Sequence, residues 1–445
     1  GHRSRSENNT EKERTMSLQI GLAKTDITPP TGIFLAGFAN RLAPSEGVYL
    51  PLTATAVAIA DGENAALLVG AEILGFYEHT ERVRRRIGER TGLKPYQILL
   101  NGSHTHCGPV LREVDRIRHG SIDDDYITEL VEKIAECAHR AWEQREPSAL
   151  KFATSQCDLA VNRRLVDEHG NFQMRPNPKG LVDHTVSVLT VETLQGKLKG
   201  VVFSYACHPT SRGELLIGGD YVGFALRSIE RSHPGLTACF IQGCAGDIKP
   251  GPIDPEETRF TPRTVEQVQE IGDKLGEVVG SVMESKSRHP IEGNLQITHQ
   301  IVTLEMESVT DAQIASGLKD SNPVIRSWAE HFQNLKIGGR PFEIQVPFEV
   351  QTLAIGRDFA LVGLSGEISV EYALRLKGDL APHFSHQVIT GYANQIIGYV
   401  PSRRQIPEGG YEVWGNQYHL KRPGPYLEKT EDLICQTVLN LLKVR

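Results

Sequence analysis

The sequence predicts an α+β fold in which mixed β-sheets are flanked by helices. In the amino-terminal part, short apolar runs alternate with amphipathic stretches, which is typical of strands followed by helices. Later in the chain, alternating stretches are separated by turn residues, which favours antiparallel strands. No internal repeat or low-complexity linker interrupts the pattern, so residues 17–445 are predicted to form a single domain.

A strand–helix–strand unit is predicted near the amino terminus. Its strands cover Leu67 to Leu74 and Gln97 to Leu100, and the helix between them runs from Glu78 to Arg90. Gly92 follows as a C-cap glycine, so the helix is expected to end there. A long amphipathic helix over Asp123 to Glu143 comes next, and its acidic first residues suit the positive end of the helix dipole.

The remaining elements indicate a more antiparallel arrangement. His184 to Glu192 and Lys199 to Tyr205 are joined through Gln195-Gly196, which predicts a β-hairpin. The later elements in chain order are predicted as helix Tyr221 to Arg231, strand Ala238 to Gln242, helix Thr264 to Glu284, and strands Gln296 to Met306, Glu343 to Ala354 and Phe359 to Gly363. Because polar residues directly follow several of these strands, a site at a sheet edge is expected.

Composition and charge limit the function classes. The chain has 445 residues, of which 39% are apolar and 23% charged, as in a globular protein that folds in water. A net charge of −7 provides no basic surface for nucleic acid or anionic membranes. No run approaches the roughly 18 to 20 apolar residues that a membrane span requires. We therefore expect no nucleic-acid partner and no membrane span.

The amino-terminal residues and the cysteines indicate the cellular compartment of the protein. Residues 1–16 are polar and lack the apolar core of a signal peptide, so we predict a disordered tail or an added, non-native segment there. The seven cysteines are scattered without a C-x-x-C pair, which favours free thiols in a reducing compartment over a disulfide framework. Both features favour a cytoplasmic protein.

The stretch NGSHTHCGP, residues 101–109, carries the first candidate site. It follows a short apolar run that predicts a buried strand, and it contains His104 and His106 two positions apart. In an extended segment such residues point the same way, so both imidazoles can face one cavity. Neutral imidazole is a common zinc ligand, although polar loop residues that bond to the backbone remain an alternative.

Three other segments also place a metal-binding side chain after an apolar run. His208 lies in YACHPTS, Glu367 in LVGLSGEIS and Tyr399 in GYVPS. Each has an ordinary structural explanation when taken alone: a histidine held extended by Pro209, a first-turn acid at a helix dipole, and a core aromatic residue. Their similar placement strengthens the interpretation of the histidine pair as part of a metal site.

These motifs, with GLAKTDITPPTG beginning at Gly21, resemble the neutral/alkaline ceramidase family, zinc amidohydrolases that cleave the N-acyl bond of ceramide. The resemblance runs from about Gly21 to about Tyr411. It implies that zinc is bound by His104, His208, Glu367 and Tyr399. After Tyr411 only a helix-like stretch, Tyr426 to Val444, is predicted, so the family's carboxy-terminal immunoglobulin-like domain is expected to be missing.

The same resemblance implies three residues that assist the reaction. His106 is similar to the family residue that hydrogen-bonds near the zinc-bound water. Arg163, in AVNRR, is expected to contact the substrate or the oxyanion, and Tyr411 matches the family's second active-site tyrosine. The alternatives are a loop-stabilising histidine, a solvated arginine and an ordinary turn at Gly409-Gly410.

Two positions depart from the family pattern. The family carries a GDxSP serine that has been proposed as a nucleophile, and here GDIKP places Lys249 in that position. Either the serine is dispensable when activated water attacks directly, or the chemistry differs. In the first case the Lys249 ammonium can assist by attracting a carboxylate or oxyanion of the substrate. An exposed ion pair between Lys249 and Asp247 is the alternative explanation for the lysine. Glu72 stands where the family usually has aspartate.

Together these features predict hydrolysis of an amide by zinc-activated water, without an acyl-enzyme. The substrate is expected to be a small, soluble, polar N-acyl compound, because the segment after Tyr411 carries a polar rim composed of Trp414, Asn416, Tyr418, His419 and Arg422. Three alternatives remain: a zinc esterase or lactonase that uses the same residues, a true ceramidase, and a catalytically silent metal-bearing binding protein. The oligomeric state is left open.

Overall fold

The computed structural model describes residues 18–115, 122–254, 256 and 258–444. The tail predicted over residues 1–16 lies outside the described residues. Within them the chain forms four layers, in which two β-sheets pack face to face and helices cover the outer face of each sheet. This confirms the predicted α+β fold with mixed sheets flanked by helices.

The strands of the described chain are short to medium in length. In chain order they are β1 (Gln19–Asp26), β2 (Gly47–Val48), β3 (Thr53–Ala60), β4 (Ala65–Ala71), β5 (Ile98–Gly102), β6 (Glu146–Gln156), β7 (Ala160–Val166), β8 (Phe172–Asn177), β9 (Thr185–Thr193), β10 (Leu198–Tyr205), β11 (Leu216–Ile217), β12 (Thr237–Gln242), β13 (Ile248–Pro250), β14 (His289–Ile291), β15 (Leu295–Glu305), β16 (Gln345–Ile355), β17 (Phe359–Leu364), β18 (Glu367–Ile368), β19 (His386–Thr390) and β20 (Tyr399–Val400).

The α-helices of the described chain range from one turn to 20 residues. In chain order they are α1 (Thr80–Thr91), α2 (Asp124–Glu143), α3 (Asp220–Ser232), α4 (Val265–Glu284), α5 (Asp311–Gly317), α6 (Pro323–Ile337), α7 (Val370–Leu380), α8 (Gln405–Glu408), α9 (Asn416–Leu420) and α10 (Thr430–Leu441). Short 3-10 turns cover Tyr77–His79 and Pro95–Gln97, and a π-helical turn covers Tyr411–Gly415.

The larger sheet has nine strands in the order β12-β10-β9-β6-β1-β3-β4-β5, with β14 paired to β6. It is mixed, because β4 and β5 run parallel, as do β10 and β12, whereas the other neighbours are antiparallel. The smaller sheet has the order β15-β16-β17-β19. An apolar layer that includes Leu68 and Phe152 of the larger sheet and Leu353 and Leu361 of the smaller one lies between them.

Helices bury the outer faces of both sheets. The apolar sides of α1 to α4 pack on the larger sheet, and those of α7 and α10 pack on the smaller one. Burial of apolar surface on this scale is the main stabilising contribution to the fold. The seven cysteines are all buried and unpaired, as predicted.

The predicted strand Leu67 to Leu74 is too long at its end. It stops at Ala71, and the N–H of Ile73 bonds to the carbonyl of Ala71 in a tight turn. The main chain of Ile73 and Leu74 is thereby freed from the sheet and accepts hydrogen bonds from His104. The predicted C-cap is confirmed, since Gly92 has a φ of 78° and its N–H bonds to Gly88.

The two sheets meet where several strands end. Isolated bridges join Asn101 to Ala393 and Gly243 to Thr390, so the end of β5 contacts the loop after β19, and the residue after β12 contacts the end of β19. Nearby, β18 and β20 pair in parallel and place Glu367 directly beside Tyr399. This junction brings together side chains that are up to 295 positions apart in the sequence.

Candidate metal centre and its cavities

His104 is held by the irregular segment after β4. Its N–H bonds to the carbonyl of Ile73, and its Nδ1 lies 2.7 Å from the carbonyl oxygen of Leu74. Its backbone φ of 67° is left-handed, which is uncommon for a residue with a side chain. The fold accepts this conformation because the loop must turn the imidazole into the junction between the sheets.

His208 enters the same junction from the end of β10. Its N–H bonds to the carbonyl of Ile248, and its Nδ1 bonds to the carbonyl of Ala245. A backbone carbonyl can only accept, so the Nδ1 atoms of both His104 and His208 carry the proton. Their Nε2 atoms therefore present lone pairs, as is usual for imidazoles that bind a metal.

The four predicted ligands converge. Oε2 of Glu367 lies 3.1 Å from Nε2 of His104 and 3.3 Å from Nε2 of His208. The hydroxyl of Tyr399 lies 3.4 Å from Nε2 of His208. Metal–ligand bonds of about 2.0 Å place tetrahedral donors about 3.3 Å apart, so these spacings fit a zinc-sized ion.

The electrostatics of the site also fit a cation. Burial lowers the pKa of His208 to about 4, aided by Arg163, so its imidazole is neutral at pH 7. The Glu367 carboxyl is also buried, with its Oε2 atom beside both Nε2 atoms. Imidazole lone pairs then face a carboxylate oxygen, an arrangement that a positive ion between them would stabilise.

His106 lies beside these donors with its ring unused. It is buried, and within the described residues neither ring nitrogen has a hydrogen-bond partner. One nitrogen from each of His104, His106 and His208 lies within 4.8 Å of the others, so the three imidazoles form a possible metal-binding group. Burial lowers the pKa of His106 well below its usual value, helped by His104 and His208, which keeps the imidazole neutral.

Gly37 sets the position of the His106 ring. Its φ is 93°, and a Cβ added there would lie 2.3 Å from Cγ and Nδ1 of His106. We expect Gly37→Ala to displace the ring and lower kcat/KM about 100-fold, because small misplacements at a reacting centre have effects of that size. Steady-state kinetics on a soluble amide measure the change.

Gly32 provides the matched control for this prediction. It has the same φ of 93°, but a Cβ there would meet nothing within 4 Å. Gly32→Ala therefore carries the same backbone strain without the contact to the ring, and we expect near wild-type kcat/KM. Equal losses in the two variants would mean that strain, not the position of His106, limits activity.

Tyr411 and Arg163 both contact the ring of Tyr399, but only Tyr411 also lines the cavity. Tyr411 begins the π-helical turn and packs edge-on against Tyr399 with ring centres 5.4 Å apart, and it also faces the cavity. The Arg163 guanidinium lies behind the two rings, 5.2 Å from that of Tyr399 and 5.9 Å from that of Tyr411. Arg163 is therefore placed to orient the tyrosines rather than to line the cavity.

Lys249 does not pair with Asp247, so the ion-pair interpretation of this segment is wrong. Lys249 lies on β13, whereas Asp247 precedes this strand. The Asp247 carboxylate accepts hydrogen bonds from the N–H of Val370 and from Gln405, each at 2.8 Å, and burial raises its pKa to about 6. The Lys249 ammonium instead lies 4.6 Å from the ring centre of Phe260.

The donors open into a small cavity, which we term the histidine cavity. It encloses about 110 Å³, and its walls include polar groups of His104, His106, Arg112, Asp115, Tyr411, Asn416 and His419. An outer groove of about 660 Å³ adjoins it and shares the walls formed by Tyr77, Arg112, Val114 and Leu420. Lys249 lines a third space, the Lys249 cavity, of about 240 Å³.

The predicted polar rim is divided among these spaces. Asn416 and His419 line the histidine cavity, and Arg422 lines the outer groove. Trp414 and Tyr418 instead stack on each other with ring centres 5.7 Å apart.

The sequence analysis missed several residues at the site. Tyr392 lies against His104 with ring centres 4.5 Å apart, and its hydroxyl is 3.4 Å from Nδ1 of His208. Glu412 is buried and binds Arg163 and Arg164. No local pattern marks either residue. Glu72 is structural, since its carboxylate accepts from the N–H and hydroxyl of Thr53.

The fold and the site define a mixed α+β protein with a buried imidazole–carboxylate centre of the kind found in metal-dependent hydrolases. The family model described as neutral/alkaline non-lysosomal ceramidase, N-terminal, matches residues 18–324, and the chain belongs to this family. Because this family consists of amide hydrolases, membership assigns the protein to that class of enzyme. No helix in the described part of the chain is long and apolar enough to cross a membrane.

Solved structures share the fold. The neutral ceramidase from Pseudomonas aeruginosa is 19% identical, with a TM-score of 0.75 over 96% of this chain and 75% of that one. A ceramidase complexed with C2 is 18% identical, with a TM-score of 0.74 over 96% of this chain and 76% of that one. Identities this low support the architecture alone. Among curated proteins no match was found.

Proposed function

We propose that this protein is a zinc-dependent amidohydrolase that cleaves the amide bond of a small, polar N-acyl compound. The observation that carries the proposal is the spacing of 3.1 to 3.4 Å among the donor atoms of His104, His208, Glu367 and Tyr399. Two imidazoles, a carboxylate and a phenol form a donor set that suits zinc. Bound zinc would polarise the amide carbonyl and lower the pKa of water from about 15.7 toward about 7.

Protein groups supply the proton transfers. His106 is neutral and buried, so a free ring nitrogen can accept the proton of the attacking water and later return it to the leaving amine. The Tyr411 hydroxyl faces the histidine cavity and can donate to the carbonyl oxygen as negative charge develops there.

Arg163 acts through Tyr399. Burial raises the pKa of Tyr399 well above its usual value, whereas the Arg163 guanidinium opposes that effect. Placed 5.2 Å from the ring, this cation favours the ionised phenol that a metal ligand requires. We therefore assign Arg163 a positioning role, with Glu412 holding it in place.

The dimensions of the histidine cavity support a small substrate. A volume of about 110 Å³ with walls of arginine, aspartate, asparagine and histidine suits a short polar group better than a long alkyl chain. The outer groove, which includes charged residues such as Glu113, Lys421 and Arg422, would receive the rest of the molecule.

We expect short-chain, water-soluble N-acyl amides to be hydrolysed with at least about 10-fold higher kcat/KM than long-chain ceramide in detergent. A long alkyl chain in the histidine cavity would displace water from the polar wall groups without forming hydrogen bonds to them. The affinity for a long-chain substrate is therefore lower. A substrate series that keeps the amide and varies only acyl length measures the effect. Efficient cleavage of ceramide with no turnover of soluble amides would contradict the proposal, and turnover of esters alone would identify an esterase.

A further inference from the structure

The Lys249 cavity lies next to the histidine cavity, and the side chain of Phe38 contributes to the walls of both. The Phe38 ring packs edge-on against His106 with ring centres 4.8 Å apart. The residues Thr210, Ser211 and Arg212, which line the Lys249 cavity, directly follow the His208-Pro209 turn. Phe38 is therefore a wall that the two spaces have in common.

The walls of the Lys249 cavity are cationic. Lys249, Arg212 and Arg263 line it, and none of the described lining residues is acidic. Of the acidic residues close to these walls in the sequence, Asp247 bonds to Val370 and Gln405, and Glu214, whose side chain is exposed, pairs with Arg212.

Hydrogen-bond donors in this cavity lack protein partners. The Ser211 hydroxyl and the Nε of Arg212 are buried, and neither has a partner among the described residues. These residues are only 3% and 5% exposed. The Thr210 hydroxyl is unpaired in the same way. Because burying an unpaired donor is destabilising, such a set indicates a ligand that accepts hydrogen bonds.

Cations near the histidine cavity are already neutralised. Arg112 makes two bonds to Asp115, at 2.7 and 3.0 Å, and Arg163 binds Glu412 at 2.8 Å. In the second cavity Arg212 pairs with Glu214, whereas the Lys249 ammonium makes no ion pair with the described residues, so Lys249 supplies the positive charge that a ligand can neutralise.

We propose that the Lys249 cavity binds an anionic group of the substrate, a carboxylate or another oxyanion, attached a few atoms from the scissile amide. The inference rests on the proposed function, because it names the substrate class of the same centre. The oxyanion would accept hydrogen bonds from Lys249 Nζ, Ser211 Oγ and Arg212 Nε.

Size and charge are compatible with this ligand. Burial lowers the pKa of Lys249 to about 8, with a contribution from Arg163, so the ammonium remains mainly protonated at pH 7. A water molecule occupies about 30 Å³ in the liquid, so about 240 Å³ accommodates an oxyanion together with a short chain.

The test compares an N-butanoyl amino acid with its N-methylamide, in which a neutral amide replaces the carboxylate. We expect wild type to favour the acid in kcat/KM about 10- to 100-fold, since hydrogen bonds to charged groups contribute on that scale. Lys249→Met is expected to bring the acid-to-amide ratio close to one, and Lys249→Arg to retain most of it. Lys197→Met, on the exposed hairpin turn, is the control and should keep the wild-type ratio.

Calorimetric binding separates this inference from the proposed function. If neither compound is hydrolysed, but wild type binds the acid more tightly and Lys249→Met loses that difference, the hydrolase proposal fails and the anion site stands. A wild-type ratio near one, or a ratio that Lys249→Met leaves unchanged, would overturn the anion site. Inorganic phosphate is expected to compete with the acid, whereas non-competitive inhibition would overturn the assignment of the cavity to the substrate.

Discussion

His208→Ala is expected to release the bound metal and to lower kcat/KM about 1000-fold or more. His208 is fully buried, and its Nε2 lies between Glu367 and Tyr399. Removing groups that only orient a ligand typically weakens metal binding 10- to 100-fold, so losing a ligand itself should exceed that range. A metal that polarises the carbonyl contributes several kcal/mol to catalysis, which corresponds to the expected loss in rate.

Metal content by elemental analysis after reloading with zinc measures the first effect, and turnover of a soluble amide measures the second. His169→Ala is the control, because the His169 side chain is 76% exposed and should leave both quantities unchanged. His106→Ala separates two arrangements of the centre. If zinc is held by His104, His208, Glu367 and Tyr399, the His106→Ala variant is expected to keep zinc and lose activity. If it loses as much zinc as His208→Ala does, the metal is held by the three imidazoles instead.

The positions of three of the four candidate ligands could be predicted because each of these three follows a predicted strand in the sequence. The apolar runs before His104, His208 and Glu367 are β5, β10 and β17, and the ends of these strands meet at the junction of the two sheets. The local signal is strong because a buried strand requires apolar residues, so a polar residue just after it stands out. The chemistry of each ligand could be proposed only through the family resemblance.

Other features had no local signal. The strand β3, TATAVAIA, is buried on both faces, so it lacks the alternation that indicates a half-buried strand. The partner of Glu412 is 249 positions away at Arg163, and such a pair forms only when the chain has folded. The separation of Asp247 from Lys249 also had no local signal, because the partners of the Asp247 carboxylate, Val370 and Gln405, are 123 and 158 positions away in the sequence.

Glu412→Ala is expected to lower the free energy of unfolding by about 3 to 5 kcal/mol. The Glu412 side chain is 1% exposed and binds the Nε of Arg163 at 2.8 Å and the Nη1 of Arg164, whose side chains are also buried. The substitution leaves the buried Arg163 guanidinium without its carboxylate and Arg164 with only the partly exposed Glu408. Removing one partner of a buried ion pair has a cost of this size. Denaturant unfolding monitored by fluorescence measures it.

Glu408→Ala is the matched control. Glu408 also binds Arg164, at 3.1 Å, but its side chain is 22% exposed, so water replaces the interaction and we expect a loss below about 1 kcal/mol. A Glu412→Ala variant as stable as Glu408→Ala would show that the buried pair does not stabilise the fold.

The dependence of this stability on pH follows from the pKa of Glu412. Burial raises that pKa, but Arg163 and Arg164 outweigh burial and hold it below the usual value. Because the folded pKa lies below the unfolded one, the stabilisation is fully present above about pH 4.3 and is lost as pH falls through the folded pKa. The difference in unfolding free energy between wild type and Glu412→Gln should therefore be constant near neutral pH and shrink in acid. A difference that grows in acid would mean that Glu412 is protonated in the folded protein and that the two arginines are neutralised by another group.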